Sequence, residues 1–191
     1  IGSEALEVVR AECVARPERW RSPLRSAIDS KERKLIGVAG RLLDLVGTRD
    51  DVPRLRAAAR LAGPGPDRDL GRVLARSTAT RVFVEDQGRI SILLDGEPTG
   101  GRQVRRKVLA LLCYLLTKPR FTAARDEVLE ALWPDMSPED ALNSLNQTVY
   151  FLRRVFEPSY VEDLSPGYLN HDSELVWLDT GLVDSRSSQC E

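Results

Sequence analysis

The 191-residue chain contains one histidine, His171, and three scattered cysteines, Cys13, Cys113 and Cys190. A lone histidine excludes most His-based catalytic triads, proton shuttles and multi-histidine metal centres. The cysteines have no metal-ligand spacing, and their odd number and wide separation argue against a disulfide framework. They read as free thiols of a cytoplasmic protein. The sequence also lacks a "GxxxxGK[ST]" loop and a "GxGxxG" turn opening a helix after a strand. In "GPGP", Gly63–Pro66, proline removes the backbone donors that a phosphate nest uses, so the stretch reads as a linker. No catalytic residue, metal or cofactor is expected, and enzymatic function is disfavoured. The longest apolar run, "VLALLCYLL" at Val108–Leu116, falls well short of a membrane span. The opening "IGSEALEVVR" places acids where a secretory leader carries bases, so neither a leader nor a membrane partner is expected.

What is present describes a folded protein. Hydrophobic residues make up 42% of the chain and charged residues 30%, a globular rather than a disordered balance. The length accommodates one ordinary domain or two small ones. The formal net charge of -1 hides an asymmetry. Residues 1–80 hold 16 Lys/Arg against 11 Asp/Glu, whereas residues 81–180 hold 11 against 16. The first part is therefore basic and the second acidic by five charges each.

Hydrophobic periodicity divides the chain at about the same point. Residues 3–15 fit a helix along Leu6, Val9 and Cys13, followed by a break around Pro17. A long helix fits Leu24 to Val46, with Ile28, Leu35, Ala39, Leu42 and Val46 recurring at helical spacing and Gly47 as its stop. "RDDVPRLRAAARLAG" gives a third helix, with Asp50 or Asp51 as cap and Pro53 in its first turn. "DRDLGRVLAR" gives a short fourth. From Thr78 the period changes to alternation. Val82 and Val84, then Ile90 and Ile92, mark strands with "QG" and "DG" as turn signals. Helical spacing returns from Val104 to the residues before Pro119, and again in "FTAARDEVLEALWPD", with Thr122 as a cap. A third helix in this region has the clearest start in the chain: Ser137 as cap, Pro138 at the first helical position and Asp140 three residues after the cap. "YVEDLSPGYLNHDSELVWLD" then reads as a hairpin turning at Ser165-Pro166-Gly167, with a further strand at Leu175–Leu178.

The expected fold class is α+β: a winged helix-turn-helix with an N-terminal antiparallel sheet and a C-terminal hairpin wing, preceded by a small all-helical domain. The expected boundaries are 1–77 for the basic helical domain, 78–182 for the winged helix, and 183–191 for a tail that starts a truncated downstream segment. At 3.6 residues per turn, Ala141, Leu145, Thr148, Val149, Leu152 and Phe156 share the buried face of the helix after Ser137. Asn143, Gln147, Tyr150 and Arg154 lie opposite, with Ser144 and Phe151 toward one flank. Asn and Gln can each grip an adenine edge with two hydrogen bonds, and Arg can take guanine or phosphate. Polar residues are equally the default of any solvated helix face. Arg105, Arg106 and Lys107 at the start of the first of these three helices, and Lys118 and Arg120 in the following loop, can meet phosphates or can simply solubilise an edge. A helix start is the unfavourable end for cations.

Five features in order carry a resemblance: an arginine-led first helix "RRKVLALLCYLL", "LWPD" closing the second, an "A..L" start to the third, "LRR" near its end, and "GY" after the expected wing turn. Over about residues 80–180 the sequence resembles the OmpR-like winged-helix domain of bacterial transcriptional activators. It is nearer to the antibiotic-pathway and bacterial transcriptional activator domain versions than to response regulators. Residues 1–77 resemble no family. The resemblance implies a bacterial regulator that binds duplex DNA through the third helix, with a wing against the flanking minor groove or backbone. It carries DNA contact to Asn143, Ser144, Gln147, Tyr150, Phe151 and Arg153. Response regulators commonly have bases where Asn143, Tyr150 and Phe151 stand. Phe151 has two readings, a thymine methyl contact or packing on the wing or a protein. The expected wing carries Glu162, Asp163, Asp172 and Glu174 and no Arg or Lys, which opposes phosphate contact. Candidate partners are therefore duplex DNA, a second copy of the chain, or a protein of the transcription or regulatory machinery. The alternative function is a winged helix serving as a protein-interaction module with weak or no DNA binding.

Overall fold

Residues 3–30, 32–99 and 104–188 are described in the computed structural model of the chain. The architecture is α+β and divides into two units. Ile1–Ala79 with Val161–Pro166 form a helical unit, and Thr80–Tyr160 with Gly167–Glu191 form a mixed unit. Among the described residues no helix is long and apolar enough to cross a membrane.

The helical unit contains α1 (Ser3–Ala15), α2 (Pro17–Asp29), α3 (Arg33–Val46), α4 (Val52–Ala62) and α5 (Arg72–Ser77). Pro17 opens α2 instead of merely breaking the chain, because the first helical position needs no N–H donor. The single helix expected over Leu24–Val46 is two helices. Their junction follows Asp29, where the Ser30 hydroxyl donates to the Ala27 carbonyl at 2.8 Å and accepts from the Glu32 N–H at 3.4 Å. Such local bonds compete with the helical ladder. Periodicity missed the break because Leu24 and Ile28 on α2 and Ile36, Leu43 and Val46 on α3 all enter one core. Leu35, expected inside, is 44% exposed. Trp20 packs at the margin of the same core.

Two ionic locks hold this unit. A 3-10 turn at Arg49–Asp51 precedes α4. There the Asp51 carboxylate, 1% exposed, accepts from Arg25 Nε at 2.7 Å, Arg25 Nη2 at 2.8 Å and the Thr48 N–H at 3.0 Å. Burial pushes this carboxyl up, but the bonds from Arg25 and Thr48 outweigh it and hold it below its ordinary value. The second lock joins α4 to the distant segment Val161–Pro166. Buried Arg56 donates to Asp163 Oδ1 through Nη2 at 2.7 Å and Nε at 3.1 Å, and to the Arg68 and Leu70 carbonyls at 2.9 and 3.0 Å. Arg60 pairs with the other Asp163 oxygen. The bond from Arg56 holds the Asp163 carboxyl below its ordinary value. Glu162 and Asp163 therefore belong to the basic unit, which holds 16 Lys/Arg against 13 Asp/Glu, and the mixed unit holds 12 against 16.

Among its described residues the mixed unit carries two small sheets and three α-helices. β1 (Val82–Glu85), β2 (Ser91–Leu94) and β3 (Glu97–Thr99) are antiparallel neighbours, and β7 (Val183–Ser185) joins β1 in parallel, giving the order β3-β2-β1-β7. Val82 pairs with Leu94 and Val183, Val84 with Ile92 and Ser185. The β2–β3 turn is Asp95-Gly96, with φ of 53° and 80°. That is the left-handed pair which a tight Asp-Gly hairpin turn requires. Residues 183–185 are thus an integral strand where a tail was expected. Their alternation was too short to show in sequence, and Val183 is 1% exposed.

Next come α6 (Arg106–Leu116), β4 (Thr122–Ala124), α7 (Arg125–Leu132), α8 (Pro138–Phe156), β5 (Leu169–His171) and β6 (Leu175–Leu178). Thr122 does not cap α7: it pairs with Trp177 in the sheet β4-β6-β5. The hairpin turns at Asp172–Glu174, where the Asp172 carboxylate accepts from the Glu174 and Leu175 N–H groups, both at 2.8 Å. The Ser165-Pro166-Gly167 turn signal instead lies at the return from the helical unit. α6, α7 and α8 pack on one another; β6 lies against α6 and α7, and β5 against α8.

Candidate functional site

α8 has 19 residues and starts where the sequence indicates. Ser137 Oγ accepts from the Asp140 N–H at 3.2 Å and donates to its carboxylate at 2.7 Å. Pro138 stands in the first turn, and Glu139 and Asp140 face the positive helix end. Ser137→Ala should lower stability by about 1 kcal/mol, read as a fall in Tm, because one orphan N–H loses its acceptor. No change would mean that solvent caps this helix equally well.

The six buried residues of α8 are Ala141, Leu145, Thr148, Val149, Leu152 and Phe156, the face that helical spacing indicates. With those inward, Asn143, Gln147, Tyr150 and Arg154 are exposed in one strip. Asn146, which the wheel places on a flank, is exposed as well and adds a third amide. Ser144 is half-buried, its hydroxyl 3.6 Å from Met136 Sδ.

Toward its C-terminal end the strip becomes aromatic and cationic. Tyr150 meets Phe151 and Tyr160 edge-on, at centroid distances of 5.6 and 6.1 Å. Arg105, the residue before α6, lies 3.9 Å over the Phe151 ring, and Arg154 lies 6.0 Å from that of Tyr150. Thr99, Val104, Arg105, Phe151, Arg154 and Val155 surround an open cavity of about 360 Å³. Phe151 thus packs within this unit, under an arginine whose charge stays at the surface.

The remaining cations are engaged differently. Arg153 turns to the hairpin: Nε donates to the Leu169 carbonyl and Nη1 to the Tyr160 hydroxyl, each at 3.0 Å. Lys107 donates to the Leu132 carbonyl at the end of α7 and lies 5.6 Å from the Trp133 ring. This explains a cation in the first turn of α6, since it neutralises a different helix's negative end. Lys118 pairs with Glu127 and lies 4.5 Å over Tyr114, and the bond to Glu127 raises its pKa. Arg106 and Arg120 are exposed, Arg120 with φ of 53°.

The structure therefore brings together Asn143, Asn146, Gln147, Tyr150, Phe151, Arg154 and Arg105. It gives Arg153, Lys107 and Lys118 intramolecular partners. Tyr160 and Asn146 join the site without having been singled out in the sequence; Asn146 was legible as a third amide one turn from Asn143. No known protein family, curated protein or solved structure matches the chain.

Proposed function

We propose that the chain is a regulator that binds duplex DNA, with its mixed unit acting as a winged helix-turn-helix whose third helix, α8, enters the major groove. The observation that carries this reading is the composition of the outer α8 strip. Three amides, Asn143, Asn146 and Gln147, are followed by Tyr150 and Arg154, and none of these positions is acidic. Amide side chains match the adenine edge in two-point contact, and a cation at the far end suits the phosphate wall. From Asn143 to Arg154 the helix rises roughly 16 Å, a length that about five base-pair steps of 3.4 Å provide. Placing Asp163 in the helical unit supports the reading further, since the β5–β6 tip then carries only Asp172 and Glu174, and Asp172 is occupied within its own turn.

Selection of genome-derived duplex fragments at about 100 mM salt should enrich one shared repeat. Asn143→Ala with Gln147→Ala should then cut the preference for that site by roughly tenfold or more, as loss of base-edge contacts does, while leaving binding to random duplex nearly unchanged. Enrichment of no sequence would overturn the proposal.

The aromatic cluster favours a second reading, a protein-docking face centred on Tyr150, which is 45% exposed. In that case Tyr150→Ala removes association with the partner or with a second copy, and Arg154→Ala does not.

A further inference from the structure

The open cavity of about 360 Å³ lies wholly within the mixed unit, between the end of β3, the start of α6 and the C-terminal part of α8. Its walls are mostly apolar: Val104, buried Val108, Phe151, Val155 and Pro158. Arg105 and Arg154 add two guanidiniums, and no Asp or Glu stands among the described lining residues. We propose that this cavity binds a small organic carboxylate, whose apolar body lies against the valines and Phe151 and whose charge is taken by Arg105 and Arg154. The site does not depend on the duplex reading; only its regulatory consequence does.

Charge, size and hydrogen-bonding capacity each narrow the occupant. Two cations without a lining carboxylate favour an anion, and apolar walls strengthen that preference by lowering the local dielectric. Arginine suits a carboxylate because its planar fork offers parallel N–H donors. Arg105 already stacks 3.9 Å over the Phe151 ring, so it has less rotamer freedom left to lose on binding. Among the described residues no side chain caps the start of α6, which adds the positive end of an 11-residue helix beside Arg105. The volume stands at the small end of the range for ligand sites, roughly 300–1,000 Å³, and suits one ring or a branched alkyl group. Besides the guanidiniums, the described lining offers one polar side chain, that of Thr99, and its hydroxyl already donates to the Val155 carbonyl at 3.5 Å. A sugar or a nucleobase would lose more hydrogen bonds to water than these walls return. An aromatic or branched-chain monocarboxylate would not.

Titration of the full chain with benzoate, phenylacetate and isovalerate at fixed ionic strength, followed by backbone amide shifts, tests the site without any duplex. At least one of the three should give a saturable shift at Val104, Val108 and Val155. The uncharged primary amide of the best carboxylate should bind roughly tenfold or more weakly, as loss of a charge-assisted contact requires. Inorganic phosphate should give no saturable shift at these valines. Arg105→Gln with Arg154→Gln should weaken the best carboxylate by roughly tenfold or more, with the shifts of Leu111 and Leu145, buried in the same unit, unmoved. Saturation by none of the three carboxylates, equal binding of the amide, or a double variant that binds like the wild type overturns the proposal. Saturation by phosphate shows an anion site that does not select an apolar body, and overturns the organic ligand. On the duplex reading the same two arginines meet phosphates, so a saturating carboxylate should also weaken binding of the selected duplex; an unaffected duplex overturns that competition. Failure of the wild type to select any duplex overturns the duplex reading alone, because the titration decides the cavity on its own.

Discussion

On the proposed duplex reading, replacing Arg105 and Arg154 together by alanine should weaken binding by roughly 100-fold at physiological salt, as loss of two charge-assisted contacts does. It should also lower the slope of log affinity against log salt by about 1.8, close to 0.9 per phosphate contact released. The expectation follows from what each cation is already doing. Arg105 lies 3.9 Å over the Phe151 ring and Arg154 6.0 Å from that of Tyr150, so both are pre-oriented at the rim of the outer α8 face. Pre-orientation lowers the rotamer entropy that a flexible arginine loses on docking. Lys107 and Lys118 already hold the Leu132 carbonyl and Glu127, so Lys118→Ala should change the salt slope little. Arg153→Ala should act chiefly on stability, because its guanidinium joins α8 to β5 and Tyr160. A salt slope untouched by the Arg105 and Arg154 changes, with affinity unaltered, would remove this pair from any phosphate track.

The difference between these cations was not visible in the sequence, although much else was. The buried face of α8 could be read because one helix packs one stripe, and the stripe repeats every 3.6 residues over 19 positions. Ser137 and the Asp95-Gly96 turn were legible because each is a local device whose chemistry sits within four residues. The three helices and the β1 and β2 strands followed from the same short-range signals. What failed depended on long-range partners. Ser165-Pro166-Gly167 has turn composition, but the hairpin turns at Asp172–Glu174. The residues just before Gly167 belong to the helical unit because Arg56, far upstream, needs a carboxylate. Val183–Ser185 form a strand because β1 has an open edge 101 residues earlier in the chain, a fact no window around residue 183 contains. Among the site residues, the exposed strip was legible from the wheel. The carbonyls that Arg153 and Lys107 hold, by contrast, lie 16 and 25 residues away, on other elements. Charge counted along the chain misplaced two acids for the same reason: Glu162 and Asp163, expected in the wing, belong to the helical unit.

The second large effect is expected at Asp51. Asp51→Ala should destabilise the helical unit by about 2–3 kcal/mol, the range for losing charge-assisted hydrogen bonds to a buried carboxylate, and lower its Tm by roughly 10–20 °C. The effect is large because this carboxylate is 1% exposed and ties α2, through Arg25, to the turn that opens α4, through the Thr48 N–H. It is not larger because Arg25 is 35% exposed and can rehydrate once its partner is gone. Asp51→Asn retains an acceptor and should cost about half as much. The pH dependence separates charge from shape. In the folded protein the Asp51 carboxyl is held below its ordinary value, so it binds its proton later than in the unfolded chain. Its stabilising contribution is complete above the unfolded value, at about pH 4, and is lost as pH falls through the lower folded value. The stability gap between wild type and Asp51→Asn should therefore be constant between about pH 5 and 8, and close progressively below about pH 4. Thermal unfolding of both proteins across that range measures it. A gap that persists undiminished at about pH 3, or one that widens on acidification, would mean that Asp51 stabilises the turn through packing and neutral hydrogen bonds alone.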